Sequence, residues 1–120
     1  MYPKEFFLIP EDVFRVGNTT SPRLSHLRSG EVVTNNINGI IMIVANRRGV
    51  SLYALEELKA VGLTGWVWRF EGGTKIPIEL MVVNDHSGHF MLVPKRTMPL
   101  DKYKGLLEEV ALNGIKAFKL

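Results

Sequence analysis

Histidine and carboxylate side chains form the first cluster in this sequence that suggests chemistry. His86 and His89 are three residues apart, with Asp85 beside them, across a predicted turn that leads into a strand. Imidazole and carboxylate groups are zinc ligands, so this spacing suits a metal ion. The third histidine is distant at position 26 and the chain has no cysteine. We therefore expect His26 and His86 to have surface roles, and we predict no metal centre.

Motifs for other chemistries are absent from the sequence. No Walker-type glycine loop and no glycine-rich dinucleotide fingerprint follows a predicted strand. The pair Gly72-Gly73 fits a hairpin turn. The segment Gly49-Val50-Ser51 lacks the second glycine that a nucleophile elbow requires, so no Ser-His-acid triad is indicated. Without cysteine, disulfides and thiolate sites are excluded.

Three further polar residues lie within, or at the start of, predicted elements. Arg15 lies in an apolar strand, Ser51 follows a turn before a predicted helix, and His89 opens a strand. Each has a structural alternative. Arg15 would face solvent on an edge strand, Ser51 would be a helix N-cap, and His89 would bond to backbone. Tyr53 is expected in the core or on the wall of a cleft.

Hydrophobic periodicity predicts the elements that would position these residues. Short apolar or alternating segments predict strands at 13–16, 39–45, 65–70, 78–83, 89–93 and 115–120, the last at a sheet edge. Apolar residues at helical spacing predict helices over 52–61 and 99–112, and residues 19–38 suggest a long surface loop. The region 66–93 is expected to be antiparallel. The order predicts an α+β fold with helices packed on a strongly bent sheet.

Composition limits the remaining choices. A chain of 120 residues with 46% hydrophobic and 22% charged residues predicts one globular domain over 1–120. A net charge of +3 favours a phosphate-bearing ligand or an acidic inhibitor protein. The apolar runs are too short to span a bilayer. We expect no membrane insertion and a cytoplasmic location, reached without a cleaved signal peptide if the protein is delivered into a target cell.

Two C-terminal segments carry a family resemblance. Residues 73–80 (GTKIPIEL) and 89–94 (HFMLVP), followed by Met98-Pro99 at the start of a helix, resemble the C-terminal half of the ADP-ribosyltransferase-like toxins of bacterial type VI secretion. Upstream, Phe14-Arg15 resembles the aromatic-Arg pair of that family's first strand. Val50-Ser51-Leu52 resembles its second motif, a serine between apolar residues.

The resemblance implies bent antiparallel sheets that form an NAD cleft, with flanking helices. It implies that Arg15 binds an NAD phosphate or ribose, and that Ser51 lines the cleft near the nicotinamide ribose. His89 takes the third motif position, and with Ser51 it is the implied catalytic pair. Tyr53 is expected to stack on the nicotinamide because it is close to Ser51. NAD as substrate and a cognate immunity protein are the implied partners.

The third motif position leaves the reaction open. Many transferases place an acid there, since a carboxylate stabilises the oxocarbenium-like state of ribosyl transfer. His89 carries no negative charge, so the acid would be Glu79 or Asp85, or the transfer would differ. The toxin family that this sequence resembles is part of a wider superfamily of NAD-using enzymes. The tRNA phosphotransferase branch of that superfamily uses Arg and His rather than Glu. The hypotheses are therefore an NAD-dependent ADP-ribosyltransferase toxin with an intracellular target, a non-catalytic binding module, and an RNA-directed, NAD-using phosphotransferase or RNA-modifying enzyme.

Overall fold

The computed structural model describes residues 2–120, which form strands and two helices. The strands are β1 (Lys4–Phe6), β2 (Val13–Gly17), β3 (Thr34–Ile37), β4 (Ile40–Ile43), β5 (Val50–Tyr53), β6 (Trp66–Phe70), β7 (Leu80–His86), β8 (His89–Pro94), β9 (Met98–Pro99) and β10 (Ile115–Lys119). The helices are α1 (Leu55–Ala60) and α2 (Leu100–Ala111). The mixture of antiparallel sheets and two helices confirms the predicted α+β class.

A seven-stranded sheet dominates the fold. Its order is β1-β7-β8-β5-β2-β6-β10, and every neighbouring pair is antiparallel. The predicted edge strand at 115–120 is confirmed as β10. The predicted strand at 78–83 is displaced: β7 starts at Leu80 and continues to His86, so the turn to β8 is shorter than the sequence suggested.

A second sheet of three strands has the order β3-β4-β9. The prediction of a loop throughout 19–38 is wrong at its end, because Thr34–Ile37 pairs with Ile40–Ile43 as a hairpin. The strand predicted at 39–45 exists as β4, but the expectation that it is buried is wrong. Ile40 and Ile41 are exposed, and Ile43 is buried at the end of the strand that pairs with Met98, so the strand reaches the core only at that end.

Helix α2 follows its predicted pattern closely. Its buried residues, Tyr103, Leu106, Leu107 and Val110, recur at helical spacing and belong to the main core cluster. The Tyr103 hydroxyl donates to Leu92 O at 2.6 Å and accepts from Val50 N at 3.1 Å. This buried hydroxyl therefore ties α2 to both β5 and β8.

The helix predicted over 52–61 is wrong in its first half. Residues 50–53 form β5, and α1 begins only at Leu55, with Ala54 at its N-cap and no side-chain cap. Ser51 is therefore not a helix cap. Pairing of β5 with β8 along four residues outweighs the local helical spacing of the leucines.

None of the helices among residues 2–120 is long and apolar enough to cross a membrane.

Candidate active site

A cleft of about 480 Å³ opens beside the β5–β8 pair, a volume typical of small-molecule sites. Its walls come from β5, β8, the loop before β3, the turn before β5 and the residues after α1. The lining residues are Arg28, Ser29, Gly30, Glu31, Arg48, Gly49, Ser51, Tyr53, Val61, Leu63, Asp85, His89 and Met91. The predicted site residues Ser51, Tyr53 and His89 all lie on it.

Strand alternation brings these side chains to one face. Ser51 pairs with Met91 and Tyr53 pairs with His89 in the β5–β8 ladder, and all four line the cleft. Side chains two residues apart in a strand point to the same side of the sheet. The intervening residues belong to the core on the other side: Val50, Leu52, Phe90 and Leu92. The Tyr53 and His89 rings lie with centroids 5.2 Å apart.

A hydrogen-bond chain runs through His89. Its Nδ1 lies 2.6 Å from Asp85 Oδ1, and its Nε2 lies 2.9 Å from Ser51 Oγ. An ionised carboxylate only accepts hydrogen bonds, so we infer that Nδ1 carries the proton. In the neutral imidazole, Nε2 then accepts from the Ser51 hydroxyl. The alternative that His89 bonds to backbone is wrong, because both ring nitrogens have side-chain partners.

Arg15 does not line the cleft. Its side chain is completely buried, and its Nη1 donates to Glu31 Oε2 at 3.0 Å and to Ser51 O at 2.9 Å. Its Nη2 donates to His26 O at 2.8 Å. The alternative of a solvent-facing arginine on an edge strand is also wrong, since β2 lies between β5 and β6. In this structure Arg15 positions Ser51 and the loop before β3.

Glu31 completes the support beneath Ser51. Its carboxylate accepts from the Ser51 amide at 2.7 Å and from the Arg28 amide at 2.7 Å. The paired residues of β2 and β5 are Phe14 and Tyr53. On the side of Ser51 that faces β2, the side chains of Arg15 and Glu31 bond to the backbone carbonyl and amide in place of strand pairing. A buried ion pair thus fixes the backbone that carries the site hydroxyl.

Low pH should weaken the buried ion pair between Arg15 and Glu31. Burial alone would raise the pKa of Glu31, but Arg15 and the amides of Ser51 and Arg28 outweigh burial and lower it. The stabilisation is therefore complete above the unfolded-state value of about 4.3 and is lost as pH falls through the lower folded-state pKa. We expect the free energy of unfolding of wild type to exceed that of Glu31→Gln at neutral pH, and the gap to narrow below about pH 4. Urea titrations across this range measure it, and a gap independent of pH would contradict it.

Two arginines on the cleft were not singled out by the sequence. Arg28 Nη2 donates to Val16 O and Arg48 Nη2 donates to Gly30 O, both at 2.8 Å. Within residues 2–120 neither guanidinium forms an ion pair with a carboxylate, and each retains further N–H donors. Burial, followed by the charge of Arg15, lowers the pKa of Arg28. The cleft therefore presents two guanidinium groups, which suit phosphate oxygens.

The structure distinguishes between Asp85 and Glu79, the two candidates for the acid of ribosyl transfer. Asp85 lines the cleft, whereas Glu79 lines a second cavity with Lys95, Arg96 and Lys102. Asp85 was part of a predicted turn, but it lies in β7, one residue before the end of that strand. The sequence shows that Asp85 lies four residues before His89. Only the register of the β7–β8 hairpin shows that the two side chains meet.

The Ser51–His89–Asp85 chain has the connectivity of a hydrolase triad, contrary to the expectation from sequence, but it lacks one part of that machinery. Acyl transfer by serine commonly uses backbone amides near the nucleophile to stabilise an oxyanion. The Ser51 amide donates to Glu31 and is not free for this task. The Ser51–His89–Asp85 chain can bind a hydroxyl group of a ligand or take a proton from it. The arrangement does not favour acyl transfer through an acyl-enzyme.

Comparison with known families agrees with the resemblance noted in the sequence. Residues 8–117 match the family model described as Tse2 ADP-ribosyltransferase toxin. Neither the curated proteins nor the solved structures give a significant match. The family match spans nearly all of the 120 residues, including Ser51, Asp85 and His89. This chain belongs to the Tse2 ADP-ribosyltransferase toxin family.

Proposed function

We propose that this chain is a toxin that breaks the nicotinamide–ribose bond of NAD and transfers ADP-ribose to an intracellular acceptor. The observation that carries the proposal is the Ser51–His89–Asp85 chain, which lies on a cleft that also holds two arginines without carboxylate partners. The family match supports the reaction class.

Arg28 and Arg48 are the proposed ligands of the NAD pyrophosphate. Both lie on the cleft and both have guanidinium N–H groups beyond the one that each gives to a carbonyl. This assignment replaces direct phosphate binding by Arg15, whose guanidinium is buried against Glu31. Arg15 acts on NAD binding indirectly, by holding Ser51 and the loop that carries Arg28.

Tyr53 and His89 form the proposed nicotinamide and ribose end. The Tyr53 ring is half-buried on the cleft wall and offers a face against which nicotinamide can stack. Ser51 and His89 would hold a ribose or acceptor hydroxyl, with His89 Nε2 taking its proton as the new bond to ribose forms. Asp85 keeps the ring in the tautomer that can accept this proton.

The negative charge expected in ribosyl transfer is assigned to Asp85. It is the carboxylate on the cleft that has no arginine partner among the described residues, whereas Glu31 is neutralised by Arg15. Its charge and the imidazole together would favour the oxocarbenium-like state as nicotinamide leaves. This arrangement also favours an enzyme over a non-catalytic module, which would need no oriented histidine.

The wider context follows from the same proposal. Delivery by type VI secretion into a target-cell cytoplasm would bring the cleft to NAD, and an immunity protein would protect the producing cell. The acceptor can be protein or nucleic acid. A 2′-phosphorylated RNA consumed only with NAD would identify the RNA-directed alternative.

Removal of one cleft arginine tests whether the cleft binds the pyrophosphate of NAD. We expect Arg48→Ala to weaken NAD binding by about 10-fold or more, because a hydrogen bond to a charged group contributes about 1.5–3 kcal/mol. Arg48 is exposed, so the fold should tolerate the change. Arg96→Ala is the matched control, since Arg96 is also exposed but lines the second cavity. Calorimetric titration with NAD measures both variants. Equal affinity in Arg48→Ala and Arg96→Ala would reject Arg48 as a phosphate ligand, and no NAD binding by wild type would reject the function.

A further inference from the structure

Asp85, His86 and His89 converge at the end of the β7–β8 hairpin. Their potential metal-binding atoms all lie within 4.8 Å of one another. Asp85 Oδ1 is 3.0 Å from His86 Nδ1 and 2.6 Å from His89 Nδ1. Donor atoms around a tetrahedral zinc ion are separated by about 3.3 Å, from bond lengths near 2.0–2.1 Å. Small outward movements of these side chains would therefore admit an ion.

Each imidazole has an oxygen atom near its other nitrogen. His86 Nε2 is 3.9 Å from Glu57 Oε1, and His89 Nε2 is 2.9 Å from Ser51 Oγ. Metal-bound histidines usually direct the second ring N–H at a carboxylate or another oxygen, which fixes the tautomer and the ring orientation. His89 fits that pattern as it stands, and a small side-chain movement would bring Glu57 within hydrogen-bond distance of His86. The two rings are also stacked, with centroids 5.0 Å apart.

Contrary to the expectation from sequence, we propose that Asp85, His86 and His89 form a Zn²⁺ site, and that the bound ion switches off the hydrogen-bond chain of the cleft. Two imidazoles and one carboxylate are a common set of three protein ligands for zinc, with water in the fourth position. Asp85 and His86 are exposed and His89 is partly exposed, so an ion can reach the site from solvent.

The inhibitory effect follows from the two nitrogens of His89 and rests on the proposed function. Zn²⁺ on Nδ1 needs the lone pair of this nitrogen, so Nδ1 can no longer carry the proton that it donates to Asp85. The single N–H proton of the neutral ring must then lie on Nε2, which changes from acceptor to donor toward Ser51 Oγ. In this state His89 cannot take a proton from Ser51 or from a bound hydroxyl. Zinc also occupies Asp85, the carboxylate assigned to ribosyl transfer.

Direct titration tests the site without any enzyme assay. We expect calorimetry with ZnCl₂ to show one ion per chain for wild type, and at least about 10-fold weaker binding for His86→Ala. His26→Ala is the matched control, because it removes an exposed histidine remote from the cluster and should bind as wild type does. Nitrogen-15 chemical shifts of the His89 ring should report the change of tautomer on binding. The site is overturned if wild type binds no zinc, or if His86→Ala binds it as tightly as wild type.

Nicotinamide release from NAD tests the switch. We expect Zn²⁺ to inhibit wild type, a chelator to restore activity, and His86→Ala to need at least about 10-fold more zinc for the same inhibition. A wild type that binds zinc yet cleaves NAD at an unchanged rate would overturn the switch. Zinc binding by a protein that never cleaves NAD would instead reject the proposed function and leave the metal site standing.

Discussion

Replacing Arg15 by alanine is expected to lower the free energy of unfolding by about 3–5 kcal/mol, the usual effect of breaking a buried ion pair. The change leaves the Glu31 carboxylate buried without its cation and removes the donors to Ser51 O and His26 O. Small domains have only about 5–15 kcal/mol of stability in total, so this variant should be close to unfolding. Urea unfolding followed by the fluorescence of Trp66 and Trp68 measures the loss.

Two further variants separate this structural role from a surface effect. Arg15→Lys should be intermediate, because an ammonium group keeps the charge but lacks the planar fork that serves three acceptors at once. Arg23→Ala should stay within about 0.5 kcal/mol of wild type, since Arg23 is exposed and its side chain bonds only to the nearby His26 ring. If Arg15→Ala kept wild-type stability and lost NAD binding, the guanidinium would instead be a direct ligand, as the family resemblance implied.

The parts of the fold that local patterns control could be predicted from the sequence. Alternation indicated β6, and the spacing of apolar residues indicated α2 to within a residue at each end. The stretch predicted at 13–16 is β2, and residues 89–93 lie in β8. In these segments the hydrophobic period and the tertiary packing favour the same secondary structure. Local patterns therefore predicted these elements correctly.

Ser51 shows where local patterns fail. Leu52, Leu55 and Leu58 are spaced as on a helix, yet the first belongs to a four-residue strand and the others to a six-residue helix. Such short elements are ambiguous in sequence, and the choice depends on pairing with β8, some 40 residues further along the chain. Once Ser51 is assigned to a strand, alternation alone predicts that Ser51 and Tyr53 share a face.

The charged residues of the site depended even more on distant contacts. Arg28 and Glu31 lie in a segment without regular structure, which Arg15 fastens to the sheet through His26 O and the Glu31 carboxylate. No local sequence pattern predicts which side chains of a loop will be buried. The burial of Arg15 likewise follows from the position of β2 between β5 and β6, and no local pattern predicts that strand order.

Breaking the hydrogen-bond chain should slow the reaction strongly, with little effect on folding. We expect His89→Ala to slow nicotinamide release from NAD by about 10²–10⁴-fold, the usual contribution of a positioned acid or base. Ser51→Ala should fall in the same range, since it removes the hydroxyl 2.9 Å from His89 Nε2 but leaves the backbone contacts to Arg15 and Glu31. Initial rates at saturating NAD, with unfolding curves for each variant, measure both effects.

Asp85→Asn is the most selective of these changes, because it preserves shape and leaves Ser51 and His89 in place. An asparagine amide can donate to Nδ1, which would move the ring proton to Nε2 and reverse the polarity of the bond to Ser51 Oγ. The rate should therefore fall nearly as far as in His89→Ala, while Glu79→Gln, on the second cavity, should keep the wild-type rate. Growth of a bacterium expressing each variant should follow the same order, with arrest by wild type and Glu79→Gln only. Full activity of Asp85→Asn would mean that His89 acts without its carboxylate, and the acid for ribosyl transfer would have to be sought at Glu31.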